Sequence, residues 1–426
     1  MSSFSRSSYI AFFCASTFYM YQFVLRVSPS VMISDMMASF STDAAGIAFL
    51  SSVSLYAYSF MQIPVGILAD LWGPRRLILI SIFLCIFGSL LVAKTDHFGV
   101  ATLGRIIIGI GSASAFLSVA KVALGGFGVK HQSLFFGFTM TAGTIGALNG
   151  GNTVAYLLEI ITWRETLVLL SGIGALVAIL NYYGLREKPS FAFNEKTEFE
   201  KETSKTLSSL LSIFKSRQCW ISGSVALGIY STISVLADLW GVSFCMQVYH
   251  LSRIKAAHLT SLLYVGLCIG SVAIPLLSRK IHQKILIIAC LGGILINLLL
   301  LFFALESSFF LKGILFFNIG FFAGAEMLCF AHACRIGSSK NSGTITGFIN
   351  GAVMMGGATL QYLFGILLDA SWQGTRDHNG IPLYPEQGYY MAFSVILGAV
   401  LLSLFLSFFL FSSPLKEKSV SFNPNL

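Results

Sequence analysis

The sequence predicts an all-α membrane protein with twelve transmembrane helices, arranged as two pseudo-symmetric bundles of six. Of its 426 residues, 55% are hydrophobic and only 11% are charged, against roughly 25% charged residues in soluble globular domains. Apolar runs recur along the whole chain at the length of about 20 residues that is needed to cross a bilayer. The long charged stretch 186–217 separates six of these runs from the other six.

The elements follow one another as apolar runs joined by short polar loops. The expected spans are 9–34, 46–68, 77–94, 99–121, 133–158, 164–185, 218–243, 257–278, 284–304, 309–334, 343–368 and 389–411. The first run has no small-residue cleavage site, so it is predicted to be a retained span and not a signal peptide. The predicted domains are an N-terminal bundle, 1–185, a cytoplasmic linker, 186–217, and a C-terminal bundle, 218–426. The later part of the linker fits either an amphipathic surface helix or a solvated connection.

The positive charges predict the orientation of the chain in the membrane. If the amino terminus is cytoplasmic, most of the 27 lysines and arginines fall in cytoplasmic segments, as the positive-inside rule requires. Both termini are therefore expected in the cytoplasm. The net charge of +9 then belongs to membrane topology, and no nucleic-acid partner is expected.

Several functional classes have no support in the sequence. The eight cysteines lie mostly in apolar runs without C-x-x-C pairs, which predicts inert thiols and no metal site. The spans contain no H-E-x-x-H or G-x-S-x-G motif, so an enzyme is not indicated. No nucleotide-binding motif or cofactor is expected either.

The two halves of the chain resemble each other at a shift of about 210 residues. The run "FGFTMTAGTIGALNG" aligns with "TGFINGAVMMGGATL", which pairs Gly137 with Gly347 and Gly146 with Gly356. Two related halves around a central path are a known plan of membrane transporters.

The loop between the second and third expected spans contains a motif that is typical of one transporter family. The segment "GILADLWGPRR" resembles the G-x-x-x-D-x-x-G-R-R signature between the second and third helices of the major facilitator superfamily. The residues that match this conformational gating motif are Gly66, Asp70, Gly73, Arg75 and Arg76. Leu71 and Pro74 depart from the usual pattern. The glycines permit a tight turn, and Asp70 can cap or bridge to a neighbouring helix end in one conformation of the transport cycle.

Further segments resemble the same superfamily. In "GRIIIGIG", Arg105 and Gly109 match its R-x-x-x-G pattern, and the resemblance implies that Arg105 influences the protonation of a carboxylate. The fifth-span motif of antiporters is altered, with Ala147 in place of proline. The segments "RVSPSVMISDMMASF" and "LADLWGVSF" look like the phagosomal transporter group of intracellular gamma-proteobacteria, whose members take up amino acids or nucleosides. The resemblance implies the major facilitator fold and a monomer in a bacterial inner membrane.

Polar side chains at helical spacing in four spans predict one aqueous cavity near the membrane midplane. The candidate substrate-binding residues are Tyr19, Gln22, Arg26, Tyr230, Ser234, Asp238, Asn318, Phe322, Asn350 and Gln361. An intramembrane arginine is costly unless it meets water, protein or ligand, and the guanidinium of Arg26 suits a carboxylate or phosphate. The alternative is a permanent structural pair of Arg26 with Asp238 or Glu326.

Buried carboxyl groups are the candidates for proton coupling. Glu326 comes first because desolvation inside a span favours the neutral form of a carboxyl group. Asp238 and Asp35 follow, with Arg105 as the residue implied to act on them.

These features predict a proton-coupled importer of a small polar metabolite that works by alternating access. An amino acid is the leading substrate, with Arg26 for its carboxylate and Glu326 or Asp238 for its ammonium group. The alternatives are a nucleoside stacked on Tyr19 or Phe322, export of a siderophore or drug, and a non-transporting membrane sensor. The expected partners are the substrate, a proton and the lipid bilayer.

Overall fold

The computed structural model describes residues 5–127, 132–185, 215–304, 306–336, 342–377 and 380–410. Its α-helices are, in chain order, Arg6–Val27, Pro29–Phe40, Ala44–Leu71, Gly73–Lys94, Phe98–Ser112, Ala115–Phe127, Gln132–Leu148, Val154–Leu157, Trp163–Gly184, Arg217–Thr232, Gly241–Val248, Arg253–Leu277, Gln283–Phe303, Phe309–Ala323, Glu326–Ile336, Ser342–Ala370 and Glu386–Ser407. Two π-helical segments, Asn149–Thr153 and Ile233–Trp240, continue the helices before them.

These helices correspond to the spans expected from the sequence. Eleven helical stretches among the described residues are long and apolar enough to cross a bilayer. The remaining expected span, the fifth, is helical from Gln132 to Leu157 and includes the first π-helical segment. Most of the expected linker, residues 186–214, lies outside the described residues, so the domain boundaries stay a prediction.

Short polar side chains begin many of the helices. Ser5, Asp43, Ser216, Ser252 and Ser308 each accept a hydrogen bond from a backbone N–H of the first helical turn. The N–H groups of the first turn have no acceptor within the helix. A side-chain oxygen just before the apolar run accepts one of these hydrogen bonds and so favours the start of the helix at that residue. The loops between spans can therefore be short.

Several spans are interrupted near their middle. The first span breaks at Ser28, because Pro29 has no N–H to continue the helix and begins a second one. The fourth span breaks at Ala113–Ser114, and the tenth breaks at Gly324–Ala325. The seventh span is not broken but changes from α-helix to π-helix at Ile233–Trp240. Such interruptions let a membrane helix present polar groups to the centre of the protein.

The internal duplication of the sequence is visible in the packing. A Cβ atom added at Gly109 in the fourth span would overlap the backbone carbonyl of Ser54 in the second. Gly320 in the tenth span has the same relation to Leu263 in the eighth. Since both pairs need a glycine for the same close helix approach, the two halves repeat one packing arrangement.

The second and eleventh spans join the two halves along much of their length. Ser52 Oγ donates to the Ala358 carbonyl oxygen at 2.8 Å, and Ser59 Oγ donates to the Gly351 carbonyl oxygen at 3.0 Å. On the other side, Ser261 Oγ of the eighth span lies 3.0 Å from Asn152 Oδ1 of the fifth. These contacts leave the broken first, fourth and tenth spans and the partly π-helical seventh span around the centre.

Candidate functional site

The side chain of Arg26 reaches from the N-terminal half to Asp238 in the C-terminal half. Its Nη2 and Nε atoms lie 2.5 and 3.0 Å from Asp238 Oδ2. Only 12% of the Arg26 side chain and 2% of the Asp238 side chain are exposed. Because desolvation offsets much of the attraction in a buried ion pair, both groups need further partners.

Aromatic side chains supply those partners. Tyr230 accepts a hydrogen bond from Arg26 Nη2, and Tyr264 donates one to Asp238 Oδ1. The guanidinium carbon of Arg26 also lies 5.6 Å from the ring centroid of Phe23, within range of a cation–π interaction. Asp238 itself stands in the π-helical segment of the seventh span, a local geometry that is frequent at functional sites.

Glu326 approaches the same cluster from the tenth span. It begins the second helix of that span, just after the break, and is 5% exposed. Its carboxyl group lies within electrostatic range of the Arg26 guanidinium. The first, seventh and tenth spans thus bring three charged candidates together.

Arg105 lines a cavity beside this cluster. The cavity is small, with room for about one water molecule, and its polar lining comes from Gln22, Arg26, Ser54, Tyr58, Arg105 and Ser112. Arg105 is 5% exposed, and its N–H groups donate to the carbonyl oxygens of Leu50 and Leu25 and to Ser54 Oγ, at 3.1 to 3.4 Å. These oxygens are neutral, so they satisfy the donors of Arg105 without balancing its charge. Such a cavity suits an anion.

Other candidates in the first, seventh and eleventh spans have packing contacts. The Tyr19 ring lies against Phe23, with 5.1 Å between centroids. Gln361 Nε2 donates to the Ser234 carbonyl oxygen at 2.6 Å, which ties the eleventh span to the seventh. Asn350 Nδ2 donates to Gln62 Oε1 at 3.1 Å, which ties the eleventh span to the second.

The two remaining candidates of the tenth span face the ninth. Asn318 Nδ2 lies 3.4 Å from Asn297 Oδ1. The ring of Phe322 occupies the space beside Gly293, where a Cβ atom would overlap it. Asn318 and Phe322 thus contact the ninth span, and their predicted role in substrate binding stays a prediction.

Asp35 lies in a second ion pair between the halves, at the end predicted to be outer. Its Oδ2 atom is 3.0 Å from Arg253 Nη2, and Arg253 also lies 3.5 Å from Ser34 Oγ. The ion pair joins the end of the first span to the start of the eighth. The structure therefore does not bring Asp35 to the cluster around Arg26.

Asp369 also joins the two halves at the predicted outer end, although the sequence suggested no role for it. Its carboxylate accepts hydrogen bonds from the backbone N–H groups of Ala44 and Ala45, at 3.1 and 2.7 Å, and from the Tyr384 hydroxyl. Burial raises the pKa of the Tyr384 phenol, so its hydroxyl stays a donor. A carboxylate of the eleventh span thus caps the second span across the halves. The sequence has no signal for such a contact, because it depends on how the halves dock.

The loop motif between the second and third spans is partly described. Gly73 has φ of +71°, which a glycine adopts readily, so the tight turn is present as expected. Arg75 Nη2 donates to the Tyr182 carbonyl oxygen at 3.0 Å, and Arg76 is exposed. A Cβ atom added at Gly66 would meet none of the described atoms within 4 Å. The side chain of Asp70 lies outside the described part of the structure, so its gating role stays a prediction.

Relatives of the chain are transporters. An uncharacterised transporter of Bacillus subtilis, YybO, is 24% identical over 260 residues, covering 58% of this chain and 60% of the relative. A hexuronate transporter of Bacillus subtilis is 22% identical over 244 residues, covering 57% of each. A probable L-galactonate transporter of Escherichia coli is 29% identical over 137 residues, covering 32% of this chain and 30% of the relative. The chain spans three fifths or less of the length of these curated relatives.

Solved structures share the fold along nearly the whole chain. A bacterial homologue of the human lysosomal transporter Spinster, in an inward-facing and occupied conformation, aligns with a TM-score of 0.72 at 16% identity, covering 96% of this chain and 97% of that one. A D-xylose–proton symporter aligns with a TM-score of 0.72 at 17% identity, covering 96% and 99%. These alignments confirm the predicted all-α fold of two six-helix bundles. A family model for the Major Facilitator Superfamily matches residues 9–361, and the chain belongs to that superfamily.

Proposed function

We propose that this protein is a secondary transporter that carries a small carboxylate-bearing metabolite into the cell together with a proton. The observation that carries the proposal is the cavity lined by Arg105 and Arg26. The described hydrogen bonds of Arg105 go to neutral oxygens, so its buried charge has no counter-charge among them. A substrate carboxylate supplies that counter-charge and a planar partner for the guanidinium group.

The names of relatives support an organic anion as the substrate class. They describe transporters of L-galactonate, hexuronate, sulfoacetate and galactarate or D-glucarate. Each of these compounds carries at least one carboxylate. Sugar acids therefore come before the amino acids favoured by the sequence. An amino acid remains the second candidate, since the Glu326 carboxyl group lies within electrostatic range of Arg26.

The charge balance of the cluster supports coupling to a proton. Arg26 and Arg105 provide two positive charges, and Asp238 and Glu326 provide two negative charges when both are ionised. Asp238 balances Arg26 and a bound substrate carboxylate balances Arg105, so an ionised Glu326 then leaves one buried negative charge unbalanced. Protonation of Glu326 removes that charge. Because unbalanced buried charge is costly, substrate and proton are favoured to bind together.

The contacts between the halves support alternating access. The Asp35–Arg253 pair and the Asp369 cap hold the halves together at the predicted outer end. Transport then requires these contacts to break while the central site moves to the other side. Cytoplasmic termini, a monomeric state, a bacterial inner-membrane location and membership of the phagosomal transporter group accompany this proposal as predictions.

A ligand screen on the purified protein tests the substrate class. Thermal unfolding is followed with galacturonate, glucuronate, galactonate, glucarate and sulfoacetate, with the twenty amino acids, and with nucleosides. Galactose and glucose, which match the uronates but lack the carboxylate, serve as chemical controls. A ligand that binds the folded state raises the melting temperature. We expect at least one sugar acid to do so while the neutral sugars do not.

Variants assign the effect to the cavity. Arg105→Gln should abolish the stabilisation, since it removes the buried positive charge. Arg164→Gln is the matched control, because Arg164 pairs with Asp96 on the surface of the N-terminal half. Stabilisation by nucleosides or neutral sugars alone, or an undiminished response in Arg105→Gln, would reject the proposed substrate class.

A further inference from the structure

Arg26 and Asp238 each keep a partner besides the other. Arg26 also donates to the Tyr230 hydroxyl and faces the Phe23 ring. Asp238 uses Oδ2 for Arg26 and Oδ1 for the Tyr264 hydroxyl. If the ion pair opens, neither group is left without a hydrogen-bond partner, and an unpartnered buried charge is the most costly outcome of such an opening. The contacts around the pair therefore allow another carboxylate to replace Asp238 on Arg26.

The two members of the pair differ in their access to the cavity. Arg26 lines the cavity together with Arg105, whereas Asp238 is not among the described residues that line it. A carboxylate that enters the cavity thus meets the guanidinium group of Arg26 while Asp238 holds it from another side. Breaking a buried ion pair without replacement is strongly destabilising, but a substrate carboxylate restores the counter-charge of Arg26, and the Tyr264 hydroxyl stays on Asp238.

We propose that Asp238 is a built-in competitor for the substrate carboxylate. It occupies Arg26 in the empty transporter and gives way when a substrate carboxylate binds Arg26, after which the Tyr264 hydroxyl keeps Asp238 in place. The proposal rests on the proposed function for the chemical class of the ligand, a carboxylate.

This exchange connects binding to movement. The Arg26–Asp238 pair joins the first span to the seventh, and hence the N-terminal half to the C-terminal half. A substrate that takes Arg26 from Asp238 removes this link at the centre of the protein. The bound ligand thereby shifts the equilibrium between conformations in which the halves are joined and separated.

Formate tests the competition without knowledge of the natural substrate. It is a carboxylate small enough for the space left by truncating Asp238. The purified full chain is unfolded thermally in sodium formate and in sodium chloride of equal ionic strength. We expect formate to stabilise Asp238→Ala and to bind it at least about tenfold more tightly than it binds the wild type. The double variant Arg26→Ala/Asp238→Ala should lose this response.

Asp35→Ala is the matched control, because it also removes an acid that pairs with an arginine across the halves, but outside the cavity. It should gain no specific response to formate. If Asp238→Ala folds only when formate is present, that result also supports the proposal. If it folds in neither salt, Asp238→Asn provides the measurement, because a neutral amide holds Arg26 more weakly than a carboxylate and should likewise raise formate affinity.

Equal formate responses in the wild type and in both Asp238 variants would overturn the proposal, as would a gain that survives the loss of Arg26. The outcome is separate from that of the ligand screen. A formate response with no sugar acid bound would reject the proposed substrate class and keep the competition. A bound sugar acid without a formate response would do the reverse.

Discussion

Arg26 links a single position in the sequence to the centre of the protein. A guanidinium group within a membrane span costs at least a few kcal/mol unless it faces a suitable partner. The sequence therefore predicts a partner for Arg26, and Asp238 and Glu326 are the two alternatives for a permanent ion pair. The structure pairs Arg26 with Asp238 and also exposes it to the cavity. Structural pairing and ligand binding are thus compatible roles for this residue.

Arg105 illustrates what the residue pattern does not reveal. Its motif implied an action on a carboxylate, but its described hydrogen bonds go to Leu25, Leu50 and Ser54. Two of these acceptors are backbone carbonyl groups, which every residue carries. The sequence therefore cannot show that the described hydrogen bonds of Arg105 go to neutral oxygens and not to an acid. The neutrality of these acceptors is the feature that points to an anion.

Replacing Glu326 by glutamine should separate transport against a gradient from exchange. The amide keeps the size of the side chain but cannot take up or release a proton. We expect Glu326→Gln to lose accumulation of the ligand driven by a pH gradient while it retains counterflow exchange in proteoliposomes. Glu159→Gln, at an exposed acid outside the cluster, should behave as the wild type. Loss of both activities would show that Glu326 serves binding or folding and does not carry the proton.

At the scale of elements, the spans themselves follow directly from hydrophobicity, because each must match the bilayer thickness. The break at Ser28 is also visible in the sequence, since Pro29 cannot continue a helix. The breaks at Ala113–Ser114 and Gly324–Ala325 are not, because glycine and alanine also occur inside unbroken membrane helices. At Gly324 the tenth span packs closely against the eighth, where an added Cβ atom would overlap the backbone of Gly270, and a local sequence pattern does not contain such a contact.

Close helix approach at Gly109 provides a test of the packing. Gly109→Ala adds a Cβ atom that overlaps the Ser54 carbonyl, so the second and fourth spans must move apart. We expect a loss of about 1–3 kcal/mol in the free energy of unfolding, typical of overpacking. Gly172→Ala is the control, because an added Cβ atom there meets nothing within 4 Å. It should be neutral or slightly stabilising, and equal effects of the two substitutions would contradict the packing.

At the scale of the whole molecule, the sequence predicted two six-helix bundles, and the family match and shared fold confirm them. Repeated apolar runs and one charged linker were sufficient for that prediction. The contacts between the two halves could not be predicted from these features. The contacts of Asp369 with Ala44 and of Asp35 with Arg253 join positions far apart in the chain. Such contacts depend on the three-dimensional arrangement of the halves, and no periodicity within one span predicts them.

Uptake into proteoliposomes tests whether this cavity carries a sugar acid together with a proton. The sugar acid that stabilises the purified protein is added outside liposomes with an alkaline lumen, with a neutral lumen, or with sodium present only outside, while an enclosed dye reports the internal pH. We predict accumulation of the ligand only when a proton gradient is imposed, together with acidification of the lumen, and loss of both in Arg105→Gln. Accumulation driven by sodium alone, or ligand uptake without proton movement, would contradict proton-coupled transport through this cavity.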